Sequence, residues 1–119
     1  MKRIKSVVLF YNSKRRKALA YAAAIERRLK AAGVKVYRIC VNDAYCDFKA
    51  ADAAVAIGGD GTVLYAARHV IGRGIPVLGI NAGGLGFLSG VERKGFSRNL
   101  DAFLRGEFRK FSRSLLSVN

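Results

Sequence analysis

Gly58-Gly59-Asp60-Gly61-Thr62 sets three glycines and one carboxylate within five residues. Glycines let the backbone approach a ligand closely, and N–H groups at a turn entering a helix make a cradle for anions. A carboxylate in such a cradle repels phosphate unless it has another task. Asp60 could accept a proton from a substrate hydroxyl, hold Mg²⁺, or cap the following helix. The first two tasks describe a phosphoryl-transfer loop, and the third an ordinary strand-to-helix turn. No GxxxxGK[ST] is present, and Leu64 stands where the third glycine of GxGxxG would fall.

A second glycine-rich stretch, Val77–Gly90, reads VLGINAGGLGFLSG. Phe87 there could stack on a base or nicotinamide ring, or plug the loop onto the core with Leu88. Asn81 could orient a ribose or cap a turn. His69, the one histidine, reads as a surface or capping group, with no carboxylate placed to orient it. Cys40 and Cys46 lack metal-site or CxxC spacing, so Cys40 reads as a small buried hydrophobe and Cys46 as a loop thiol.

The elements that must position these loops follow from periodicity. Ile4–Tyr11 is an apolar run suited to a strand buried on both faces. Asn12 and Ser13 are N-cap types, Lys14–Lys17 is basic, and Ala18, Ala22, Ile25 and Leu29 form one helical stripe closed by Gly33. Val34–Val41 alternates as a second strand, and Asn42–Lys49 reads as a polar loop. Ala53–Ile57 is a short buried strand. Thr62–Ile71 reads as a helix with Val63, Leu64, Ala67, Val70 and Ile71 on its apolar face. Ile75–Ile80 is a fourth strand containing Pro76, Ser97–Arg105 a short helix ended by Gly106, and Phe108–Val118 is extended. Strands alternating with helices predict a three-layer α/β domain, Rossmann-like or flavodoxin-like, with a mostly parallel sheet and right-handed crossovers. Both glycine loops follow strands, so both fall at the carboxyl edge of the sheet, where such folds bind ligands.

At 119 residues, 51% hydrophobic and 25% charged, the chain is an ordered domain with a real core. Its apolar runs are too short to span a bilayer, and Met1–Lys5 followed by Val7–Tyr11 is not a secretory leader pattern, so a cytoplasmic location is expected. The formal net charge is +14. That suits polyanionic partners, but the basic residues are spread along the chain without interleaved aromatics, which argues against a specific nucleic-acid surface.

Together, GGDGT at Gly58–Thr62 and GINAGGLGFLS at Gly79–Ser89 resemble the NAD kinase family, and the likeness extends over essentially the whole chain. Lipid kinases and 6-phosphofructokinases carry loops like the first, so the second loop is what distinguishes the family. The resemblance implies phosphorylation of the adenosine ribose 2′-hydroxyl of NAD⁺, with ATP (or polyphosphate) as donor and Mg²⁺ accompanying ATP. It implies Asp60 as the catalytic proton acceptor, and Gly58, Gly59, Gly61, Thr62, Asn81, Leu85, Gly86 and Phe87 as substrate and nucleotide contacts. Asn12 and Tyr65 are further candidates. It also implies a homo-oligomer for the full-length protein; no metal-ligating residues are expected in this chain. Two positions depart from the pattern: Tyr65 stands where relatives often carry a basic residue, and Gly84 where they often carry a larger polar one. Members of the family carry a second, β-rich domain. The expectation is therefore that residues 1–106 are the α/β nucleotide-binding domain, that 107–119 lead towards the second domain, and that the chain alone is inactive. The alternatives are a GGDGT-type lipid or sugar-phosphate kinase domain and a non-enzymatic basic nucleotide-binding module.

Overall fold

The computed structural model describes residues 3–42, 48, 50–70, 72–81, 91–92, 100–107 and 115–116. Strand β1 (Ser6–Tyr11) is its centre, because four successive apolar residues bury both of its faces. Val7 and Leu9 point to one side of the sheet, Val8 and Phe10 to the other. Helix α1 (Arg16–Ala31) lays Ala18, Ala22, Ile25 and Leu29 against the first side, which is the stripe read from the sequence. It ends where expected. Gly33 adopts φ +83°, its N–H donates to the Lys30 carbonyl, and the Val34 N–H donates to the Leu29 carbonyl, closing the helix in a Schellman turn.

The chain then forms β2 (Lys35–Cys40), β3 (Ala53–Gly58), helix α2 (Asp60–Val70) and β4 (Val77–Asn81). Two-residue β5 (Val91–Glu92), helix α3 (Leu100–Leu104) and two-residue β6 (Leu115–Leu116) follow. The strand order is β2-β1-β3-β4-β5, all parallel, with β6 antiparallel on β4. Helices α1 and α3 share one face of the sheet, and α2 packs on the other, through Val63, Ala66 and Val70. This is the three-layer, mostly parallel α/β architecture expected. From β1 the chain moves outward to β2, then returns to place β3 on the other flank of β1. With right-handed crossovers that reversal puts α1 and α2 on opposite faces and opens a crevice between the carboxyl ends of β1 and β3.

Several local readings change. Helix α2 starts at Asp60 rather than Thr62, and its inward residues are Thr62, Val63, Ala66 and Val70. Leu64, expected on the apolar face, is 51% exposed. The Gly58-Gly59 turn sets the helix's rotation by turning Thr62 inward, and that carries Leu64 outward. Helix α1 has Arg15 as its N-cap, without a side-chain cap bond, rather than Asn12 or Ser13. Asn12 instead folds back, its Oδ1 accepting from the Lys14 N–H at 3.0 Å. Pro76 precedes β4 rather than lying within it.

The loop read as polar contributes Phe48 to the core. Its ring meets Phe10 edge-on at 6.3 Å, while the Arg73 guanidinium lies 4.6 Å from its centroid and donates to its backbone carbonyl. Of the extended Phe108–Val118 segment, Leu115–Leu116 is described and is a strand. Ile71, Cys46 and residues 97–99 lie outside the described residues.

Candidate functional site

The carboxyl ends of β1, β2 and β3 and the first turn of α2 enclose a cleft of about 310 Å³. Asn12 and Arg15 line it from the β1–α1 connection and Val41 from the end of β2. Gly59, Asp60, Gly61 and Thr62 line it from the start of α2. The register explains the convergence. Tyr11 pairs with Cys40 on one side and with Ile57 on the other, and Gly58 pairs with Asn81, so four strands end at one level.

The glycines of the first loop have different reasons to be glycine. Gly58 has φ +152°, and a Cβ there would sit 2.7 Å from Thr62 Oγ1. The fold itself excludes a side chain at that position. Gly59 takes the N-cap position of α2, its carbonyl accepting from the Val63 N–H at 3.2 Å. At Gly59 and Gly61 a Cβ would meet nothing within 4 Å. Their bareness keeps the cleft wall low over backbone N–H groups at a helix N-terminus, as close approach by an anionic or ribose-bearing ligand requires. Of the three glycines of this loop, Gly58 alone has positive φ.

Asp60 is the first residue of α2 and the one acidic residue of its first turn. A carboxylate there is favoured by the helix dipole. Thr62 is 6% exposed and is the buried polar residue of the described core. The β1–α1 connection is tied down from outside: the Ser13 N–H and hydroxyl both donate to Asn42 Oδ1 at 3.0 Å, which joins it to the end of β2.

The structure therefore brings Gly59, Asp60, Gly61, Thr62 and Asn12 to one cleft, with Gly58 directly behind. Asn81 ends β4 at the same sheet edge. Tyr65 is placed elsewhere: its ring stacks on His69 at 4.3 Å and meets Phe10 edge-on at 6.0 Å. His69 is held on the same helix, with Nδ1 2.9 Å from the Tyr65 carbonyl oxygen. Leu85, Gly86 and Phe87 lie outside the described residues. Arg15 and Val41 were not singled out by sequence reasoning. Sequence reasoning noted Lys14–Lys17 as a basic run at the start of α1; of its four residues, Arg15 lines the cleft. Among the described residues no group of three His, Cys, Asp or Glu is placed to hold a metal ion, and no helix is long and apolar enough to cross a membrane.

Residues 41–108 match the family model of the ATP-NAD kinase N-terminal domain. The chain belongs to the NAD kinase family. The stretch matched runs from the end of β2 beyond α3 and includes the whole α2 side of the cleft. Among its relatives, the NAD kinase of Bacteroides fragilis is 32% identical over 92% of this chain and 43% of its own length. The NAD kinases of Syntrophotalea carbinolica and Geobacter metallireducens are 43% and 48% identical over 56% and 57% of this chain, each match covering 24% of the relative. The chain thus spans less than half the length of these NAD kinases.

Proposed function

We propose that this chain supplies the GGDGT half of an enzyme that phosphorylates the adenosine ribose 2′-hydroxyl of NAD⁺, giving NADP⁺, with ATP or polyphosphate as donor. The observation that carries the reading is Asp60, a carboxylate at a helix N-terminus flanked by two glycines whose missing side chains leave the cleft open. In this reading the 2′-hydroxyl gives its proton to the Asp60 carboxylate as its oxygen bonds to the donor's terminal phosphorus. The bond from that phosphorus to the bridging oxygen breaks, and ADP (or, from polyphosphate, the chain shortened by one phosphate) leaves with the electron pair. The N–H groups at the start of α2 face the transferring phosphoryl group's negative charge. Mg²⁺ carried in on the donor phosphates would neutralise part of that charge, as Mg²⁺ commonly does with few protein ligands. Asp60 is the acidic side chain of the described cleft nearest this chemistry. Gly59, Gly61, Thr62 and Asn12 form the walls, and β4 ends at Asn81 on the same sheet edge.

The test joins this chain to the C-terminal part of the Bacteroides fragilis NAD kinase and follows NADP⁺ formation from NAD⁺ and ATP·Mg²⁺. Turnover by the joined protein, absent from the chain alone, is expected. Asp60→Asn should lower kcat by roughly 10²- to 10⁴-fold, the usual range for a positioned general base. Undiminished turnover in that variant would remove Asp60 from the proton-acceptor role.

A further inference from the structure

Helix α1 begins in an electrostatically unfavourable way. Lys14, Arg15, Arg16 and Lys17 sit at its positive end, its first turn holds no acidic residue, and no side chain caps it. Cations at a helix N-terminus oppose the dipole, and the leading N–H groups lack partners. An anion seated there relieves both. Two further observations mark the same cleft. The Thr62 hydroxyl, on a residue 6% exposed, lines it without a hydrogen bond to any described residue. Arg15, exposed and making no ion pair among the described residues, lines it from the opposite wall. The Ser13–Asn42 bonds and the Arg15 N–H to the Asn12 carbonyl, at 3.2 Å, hold the connection from which Arg15 projects.

We propose that Arg15 and the uncapped start of α1 bind the phosphates of the phosphoryl donor, a polyphosphate anion, so that donor and acceptor meet across Asp60 from opposite walls. This rests on the phosphoryl-transfer reading of the cleft and assigns its donor side. Arg15 is a positioning residue: its planar guanidinium offers two parallel N–H groups in a fixed fork that fits two phosphate oxygens, whereas a lysine ammonium acts as a point charge without that geometry. Because it makes no side-chain cap bond, replacing it removes no helix-capping interaction.

The experiment titrates the chain calorimetrically with inorganic tripolyphosphate and, separately, with ATP. Arg15→Ala is expected to weaken tripolyphosphate binding about tenfold, Arg15→Lys to recover part of the loss, and Arg27→Ala, at the far end of α1, to change it less than about twofold. Equal loss in Arg15→Ala and Arg27→Ala would mean a diffuse charge effect and would overturn the proposal, as would no saturable binding by the unaltered chain. Arg15-dependent binding of ATP but not of tripolyphosphate would place the nucleoside, rather than the phosphates, against Arg15, and would also overturn it. In the joined protein, Arg15→Ala should raise KM for the donor about tenfold and leave KM for NAD⁺ unchanged. If NADP⁺ forms without that split, only the donor assignment fails. If tripolyphosphate binding depends on Arg15 but no NADP⁺ forms, only the acceptor reading fails.

Discussion

Gly58 and Gly61 lie three residues apart, yet removing each should have effects of opposite sign. At Gly58 a methyl group meets Thr62 Oγ1 at 2.7 Å on a backbone with φ +152°. Gly58→Ala should therefore cost roughly 2 kcal/mol or more, by combining backbone strain with a clash. Gly61 is helical, without positive φ, and has open space around its Cβ direction. Gly61→Ala should raise stability by about 0.5 kcal/mol, since alanine loses less conformational freedom in a helix, while weakening ligand binding by filling the cleft wall. Urea unfolding and tripolyphosphate titration of both variants check the pair. A Gly61→Ala chain that is more stable and binds as well as before would show that its open space serves no ligand. The same comparison separates what GGDGT does for the fold from what it does for the site, which the motif alone cannot do, since every glycine reads alike in a sequence.

Among the elements, α1 joins β2 through one acidic side chain. Glu26 makes salt bridges to Lys30 at 3.1 Å, one turn on, and to Arg38 of β2 at 3.2 Å, whose guanidinium also lies 4.8 Å from the Tyr11 ring centroid. Burial pushes the Glu26 carboxyl up, but the hydrogen bonds and charges of Lys30 and Arg38 outweigh it, so the group titrates below its ordinary value of 4.5. The folded state thus favours the charged form. The resulting stability is present above about pH 4.5 and is lost as the pH falls through the lowered folded value. Between about pH 5 and about pH 3 the unaltered chain should lose more stability than Glu26→Gln, by a few tenths of a kcal/mol for partly exposed pairs that solvent still screens. Parallel loss in urea melts of the two would show the ion pairs to be inert. Elements such as α1 were legible because their pattern is strong: the 18-22-25-29 stripe and the Gly33 stop survive unchanged. The rotation of α2 was not, because Val63-Leu64 and Val70-Ile71 offer two apolar stripes one residue apart. A tertiary contact, Thr62 against Gly58, chooses between them. Phe48 was missed for a related reason: a single aromatic among polar residues has no period, and its contacts with Phe10, Tyr37 and Arg73 are what reveal its place. The cleft was legible in position, because both glycine loops follow strands, but Arg15 was not, because four consecutive basic residues look alike until the end of β1 aims one of them.

For the whole molecule, the net charge of +14 raises a competing account of anion binding, in which the overall field attracts polyphosphate without any built site. The two accounts differ in how they respond to salt. Field-driven attraction acts over distances that ions screen, with a Debye length of about 8 Å at 0.15 M and about 30 Å at 0.01 M. Contacts from Arg15 and the helix N-termini act at hydrogen-bonding distance in a cleft walled by β1, β2 and α2, so salt weakens them less. Raising the ionic strength from about 0.01 M to about 0.15 M should therefore lower tripolyphosphate affinity, by roughly tenfold if several distant charges contribute. The ratio between the unaltered chain and Arg15→Ala should stay near its low-salt value. Affinity and ratio falling together to nothing would assign the binding to the charged surface as a whole. A ratio that persists as the background falls away would show that the spread-out charge delivers polyanions to the molecule, and that the crevice between β1 and β3 is where they are held.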